Sequence, residues 1–157
     1  MNSLLKLKIW FFIWYLKNIF GYAKISTKLI YAQTWHETGG FTSRIFKENR
    51  NLFGMRQAKI RENTATGTAL GHATYKNHFS STRDYFLRQQ NFKIDSRSDN
   101  QFIIDTVASG YAEDRKYREK WLNVKNKIKT PNKLFVGIIG FFFISLILLI
   151  FKIFPND

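Results

Sequence analysis

An apolar helix that stops on a glycine pair is the feature that most constrains this chain. Leu29, Ile30, Ala32, Gln33 and His36 fall at helical spacing, Ser26 or Thr27 is placed to cap the start, and Gly39 and Gly40 follow at the end. Glycine takes the positive backbone torsion of a helix stop without a Cβ penalty. Glu37 therefore closes the helix and faces a loop. The negative end of the helix dipole disfavours a carboxylate there and favours its protonated form, which is the form a general acid needs. Shortly after, Asn51-Leu52-Phe53-Gly54 reads as a tight turn into an extended strand.

These blocks carry a resemblance. Ala32-Gln33, Glu37-Thr38-Gly39-Gly40 and Ser43, followed by Asn51-Leu52-Phe53-Gly54-Met55-Arg56, resemble the peptidoglycan glucosaminidases of the mannosyl-glycoprotein endo-β-N-acetylglucosaminidase-like family. Arg50 stands where that family has a first Asn. Gly110-Tyr111-Ala112-Glu113-Asp114 with Tyr117 is similar to a third family element, with Glu113 in the place of a Thr. The resemblance spans about Phe20 to Asn126. It implies a lysozyme-like fold, α+β and mainly α, with two lobes of which the small one is β. It also implies hydrolysis of peptidoglycan glycan strands, Glu37 as the catalytic acid, and Gln33, Asn51, Phe53, Tyr111 and Tyr117 bordering the sugar.

Residues 55–76 are rich in Thr, Ala and Gly and show no helical stripe. Gly67 and Gly71 suit turns between short strands, so this stretch is the expected β-lobe. Its only acid is Glu62. Glycosidases commonly flank the scissile bond with two carboxylates, and Glu62 is the candidate partner for Glu37, set against an ordinary exposed glutamate. Substrate assistance by the N-acetyl group is the other route.

Further along, Ser81-Thr82-Arg83-Asp84 reads as a capping box, with Asp84 as a cap residue, before a helix bearing Tyr85, Phe86 and Phe92. A second helix begins near Asp99, places Phe102, Ile103, Thr106 and Val107 inward and stops at Gly110. Asp114 is placed to cap a third, on which Tyr117, Trp121, Val124 and Ile128 form a stripe.

The ends are apolar. Leu4 to Phe20 admits three readings: a membrane span, a secretory leader ending near Gly21-Tyr22-Ala23, or a core helix. Its uninterrupted run, Ile9 to Leu16, falls far short of the ~20 residues a bilayer requires. Lys17 and Phe20 fit a leader's end badly, which leaves the core helix as the favoured reading. Leu134 to Phe151 is 18 residues without a charge. As a helix it is about 27 Å long, matched to a hydrocarbon core of ~30 Å. The expected organisation is a catalytic domain over 1–130, a linker over 131–133, a membrane helix over 134–151 and a short tail over 152–157.

Lys125, Lys127, Lys129 and Lys133 precede that helix and Lys152 follows it, a bias that puts the domain on the cytoplasmic side, opposite the expected substrate. The side of the membrane stays open.

The net charge of +14 calls for an anionic partner or surface. Nucleic acid is not expected, because no helix-turn-helix, zinc-finger or RNA-recognition pattern is present. Cysteine is absent, and His36, His72 and His78 lack metal-ligand spacing, so neither cofactor nor metal is expected. The competing reading is a non-catalytic glycan-binding or scaffold protein that keeps the lysozyme-like shape.

Overall fold

The computed structural model describes residues 3–129. Helices α1 (Ser3–Ile19), α2 (Thr27–Glu37) and α3 (Arg44–Asn49) precede strands β1 (Gly67–Ala69) and β2 (His72–Thr74). Helices α4 (His78–Asn91), α5 (Asp99–Ala108) and α6 (Tyr117–Lys127) complete the order. The result is an α+β domain, mainly helical, with one small antiparallel sheet. The expected membrane helix lies outside the described residues. Among the described residues no helix is long and apolar enough to cross a membrane.

Helix α1 is a core helix. Leu7, Ile9, Trp10, Phe11, Ile13 and Leu16 are buried, and the helix packs against α2 and α4. Lys17, the charge that spoils a leader, is itself buried and donates from Nζ to Ala23 O at 2.8 Å. Burial lowers its pKa. The cation thus closes the turn that feeds α2.

Helix α2 is the central element, with Leu29 to Thr34 buried on every side. Ser26 is its cap, Oγ accepting from Leu29 N at 3.1 Å. Asp99 in turn accepts from Ser26 N and Oγ and pairs with Lys125. One carboxylate therefore pins the start of α2 to α5 and to the end of α6. Trp121 fixes the same packing from its other side, donating Nε1 to Leu29 O at 2.7 Å.

The structure corrects several local expectations. A short helix, α3, precedes Arg50, capped by Ser43 and ended by Arg50 at φ 54°, ψ 28°. That is the left-handed region, which Asn tolerates better than Arg. No strand follows Gly54: Met55 makes a single ladder-like bond, its carbonyl accepting from Ala73 N at 2.9 Å. Gly67 lies within β1 rather than at a turn. The hairpin turns instead on Leu70 and Gly71, both with positive φ, as a two-residue turn between twisted strands requires.

The fourth correction concerns α4, which starts a turn earlier than the Ser81–Asp84 box. Asn77 caps it, its side chain accepting from Ser80 N. Asp84 is no cap; it is fully buried, accepting from Arg61 at 2.6 Å and Tyr75 OH at 2.7 Å. Helices α5 and α6 lie where the sequence puts them, though Ser98 caps α5. Asp114 does not cap α6 as the sequence suggests: Lys116 holds the cap position without a side-chain bond, and Asp114 Oδ1 accepts from Lys116 N ahead of it.

Candidate active site

Three segments converge on Glu37. Helix α2 carries it in its last turn, and Gly39 and Gly40 at φ 55° and 70° turn the chain away beneath it. The Asn51 turn approaches next. Asn51 Oδ1 accepts from Phe53 N and Met55 N, while Nδ2 donates to Met55 O and Ala73 O. One amide side chain thereby satisfies the backbone of a five-residue bend and ties it to β2. The bend brings Gly54, at φ 61°, against Glu37: a Cβ there would lie 2.8 Å from Oε2. Only glycine allows that approach.

The third segment is α6, whose Tyr117 donates its hydroxyl proton to Glu37 Oε1. Tyr117 is buried and accepts from Gln33 Nε2 at 3.1 Å. Burial pushes the Glu37 carboxyl up to about 7, against the Tyr117 hydrogen bond, which pulls it down. The same burial holds the Tyr117 phenol well above its usual value, neutral and able to donate.

Glu37 opens onto a cleft of about 610 Å³. Phe53, Gly54, Tyr111 and Glu113 line it, with Arg56, Arg61 and His72 from the 55–74 stretch and Arg88 from α4. Tyr111 also donates to Phe53 O at 2.5 Å, clasping the Asn51 bend from the far side.

The sequence-expected residues divide into two groups. Glu37, Phe53 and Tyr111 line the cleft. Gln33 and Asn51 are fully buried, and Tyr117 lies behind Glu37, so these three shape the acid and its turn from within. Glu62 is not brought to Glu37. It is exposed, bonded to Arg83 at 3.3 Å and absent from the cleft lining. Glu113 lines the cleft instead, and the sequence signal for it was its departure from the family's Thr. Arg61 and Arg88 were also missed; both are long cations on otherwise ordinary stretches.

The histidines are dispersed. His36 lies edge-on to Tyr117, His72 lines the cleft and His78 stacks on Phe46. Among the described residues no three His, Cys, Asp or Glu side chains gather as metal ligands do.

A half-buried acid at a helix end, its carboxyl raised to about 7 by desolvation and set beside a glycine gap on a cleft, has the form that acid catalysis of glycoside cleavage calls for. Residues 17–130 match the sequence model of the glucosaminidase family, described as mannosyl-glycoprotein endo-beta-N-acetylglucosaminidase, and the chain belongs to that family. At family level this places it among the peptidoglycan glycosidases. No curated protein and no solved structure matched the chain.

Proposed function

We propose that this protein is an endo-β-N-acetylglucosaminidase that cuts β-1,4 bonds in peptidoglycan glycan strands, in a lysozyme-like two-lobed domain, with Glu37 as general acid. The observation that carries the reading is the Glu37 carboxyl, raised to about 7 by burial and facing the cleft beside Gly54. It is protonated at weakly acidic pH, where it gives its proton to the glycosidic oxygen as positive charge develops at the anomeric carbon. Glu113 is the other carboxylate lining the cleft among the described residues, and we assign it the opposite-face role, as base for water or support for the oxocarbenium ion. Tyr111, half-buried at the cleft, offers the apolar surface on which a sugar ring packs, with the buried Phe53 ring beneath the bend supporting it. Leu134 to Phe151 serves, in this reading, as a single-pass anchor that keeps the enzyme near its polymer.

The test is digestion of purified peptidoglycan by the full chain beside Glu37→Gln, Glu113→Gln and Glu62→Gln, with products reduced and sized by mass spectrometry. Fragments ending in reduced N-acetylglucosamine are expected. Glu37→Gln lowers the rate by roughly 10³-fold, within the range for a lost general acid. Glu113→Gln causes a large fall, and Glu62→Gln stays within about twofold, as an exposed pair implies. Full activity in a folded Glu37→Gln variant overturns the assignment. Glycan binding without new reducing ends, in the wild type, establishes the non-catalytic alternative.

A further inference from the structure

Behind Glu37 a row of side chains runs through the core with every proton pointing the same way. Arg88 Nη1 donates to Gln89 Oε1 at 2.9 Å. Gln89 Nε2 donates to Tyr85 OH at 3.1 Å and to Thr106 Oγ1 at 2.8 Å. Tyr85 OH donates to Gln33 Oε1 at 2.6 Å, Gln33 Nε2 to Tyr117 OH at 3.1 Å, and Tyr117 OH to Glu37 Oε1. Gln33, Tyr85, Gln89 and Thr106 are all 0 % exposed, so water does not complete any of these bonds.

The direction follows from Arg88. A guanidinium has donors and no acceptor, so the group facing it must be the Gln89 oxygen. The Gln89 amide nitrogen is then committed to Tyr85. Having accepted, the Tyr85 hydroxyl spends its one proton on the Gln33 oxygen, which turns the Gln33 nitrogen toward Tyr117. The single proton of Tyr117 is left for Glu37. Neither amide is free to flip: a flip of Gln89 would set its NH2 against the guanidinium, and a flip of Gln33 would leave the Tyr85 hydroxyl proton without an acceptor in a dry core.

The two directions differ at the acid. With Tyr117 donating, Oε1 is an acceptor, and the carboxyl proton resides on Oε2, which lies beside Gly54 at the cleft. With the row reversed, Tyr117 would donate to Gln33 and accept from Glu37, drawing the acid proton inward. We propose that Arg88 is a positioning residue that fixes the direction of this buried row, and that Gln89, Tyr85 and Gln33 transmit the direction so that Glu37 presents its proton to substrate.

The inference rests on Glu37 acting as general acid. Arg88 suits the role: it is 8 % exposed, forms no ion pair with a carboxylate among the described residues, and is held by Ser109 and by the faces of Tyr111 and Phe92. The ionisable groups around Glu37 are Tyr117 on α6, Tyr85 on α4, Tyr111 before α6 and His36 on α2, with Arg56, Arg61, His72, Arg88 and Glu113 around the cleft.

The experiment uses the full chain as Tyr85→Phe, Arg88→Met and the double variant. Tyr85→Phe removes one fully buried hydroxyl and keeps the ring stacked on Phe53. Expected in each single variant is a fall in kcat of roughly tenfold, the size of one lost hydrogen bond to an ionisable group. In Tyr85→Phe, KM is unchanged. The basic limb of the kcat profile moves to higher pH, because Tyr117 no longer steadies the ionised carboxylate. The Glu37 titration, read by carbon NMR on labelled carboxyl in the free protein, moves the same way. The double variant loses no more than the worse single, since one broken link already releases the row.

An unmoved Glu37 titration in folded Tyr85→Phe, or additive losses in the double variant, overturns the proposal. A moved titration with unchanged kcat overturns the general-acid reading instead.

Discussion

The two walls of the cleft are built differently. Behind one wall stand helices α2, α4 and α6, whose core side chains Leu29, Ala32, Gln33, Tyr85, Gln89 and Trp121 are all at 0 % exposure. The facing stretch, 55–76, has two three-residue strands, an isoleucine at its tip that is wholly exposed, and polar side chains bonded to nearby backbone. Its two ends are anchored, with Met55, Ala73 and Tyr75 buried in the core and Tyr75 OH on Asp84, whereas its middle is held at few points, chiefly Arg61 on Asp84 and Thr64 on Ser80 O. The acid stands on the dense wall. Dense packing fixes a side chain within tenths of an ångström, whereas a sparsely held segment opens at low cost and accommodates an extended polymer.

The sharpest way to break this comparison is to truncate one side chain on each wall. Trp121→Ala removes a fully buried ring and the donor to Leu29 O, and should cost about 3 to 5 kcal/mol in urea unfolding. Ile60→Ala on the facing stretch should stay within about 0.5 kcal/mol. Similar costs at both positions would mean that the stretch is as firmly held as the helices.

The acid itself should reveal the strain of its burial. The Glu37 carboxyl has an ordinary value of 4.5 and a folded value of about 7. Between those values the folded protein binds a proton that the unfolded chain has lost, so wild-type stability falls as pH rises through this window. Glu37→Gln removes the penalty. Its gain over wild type should be near zero below pH 4.5 and reach about 3 kcal/mol above pH 7. Thermal melts of both proteins from pH 4 to 8 measure the difference, and a gain independent of pH would show that the carboxyl is not buried as described.

Gly54→Ala tests where the two walls meet. The added Cβ would stand 2.8 Å from Glu37 Oε2 and force a left-handed torsion on alanine. The carboxyl must move while its Tyr117 bond resists. Activity should fall roughly 100-fold at nearly unchanged KM, the scale of a misplacement near 1 Å, in a protein that still melts cooperatively. Undiminished kcat would show that the approach of Gly54 has no part in aiming the acid.

The dense wall was also the more legible in sequence. Apolar spacing and the Gly39-Gly40 stop locate α2 and its terminal acid, because a helix and its cap are encoded within a few neighbouring residues. The facing wall depends on contacts across the chain. Ser81 to Asp84 imitates a capping box, yet Asp84 is claimed by Arg61, 23 residues away, and Asn77 takes the cap. Glu62 was singled out as the lone acid of its stretch, but Arg83 holds it at the surface and Glu113 lines the cleft. Tyr85 and Gln89 read as ordinary helix residues and Gln33 and Tyr117 as neighbours of the sugar, and only the packing of α2, α4 and α6 joins the four in one row.

The smallest expected effect concerns the hinge between the walls. Arg50 ends α3 in the left-handed region, where a side chain with Cβ costs about 1 to 2 kcal/mol and Asn, with its short polar side chain, costs less. Its guanidinium offers little in return: Nη1 lies 3.4 Å from Tyr75 O, at the long edge of a hydrogen bond. Arg50→Asn should therefore stabilise the fold by about 0.5 to 1 kcal/mol in urea unfolding and leave glycan cleavage unchanged. The family's Asn at this position is then a backbone residue rather than a sugar ligand. A change in KM with no gain in stability would reverse that conclusion, and would make the junction of α3 with the sparse wall part of the substrate path.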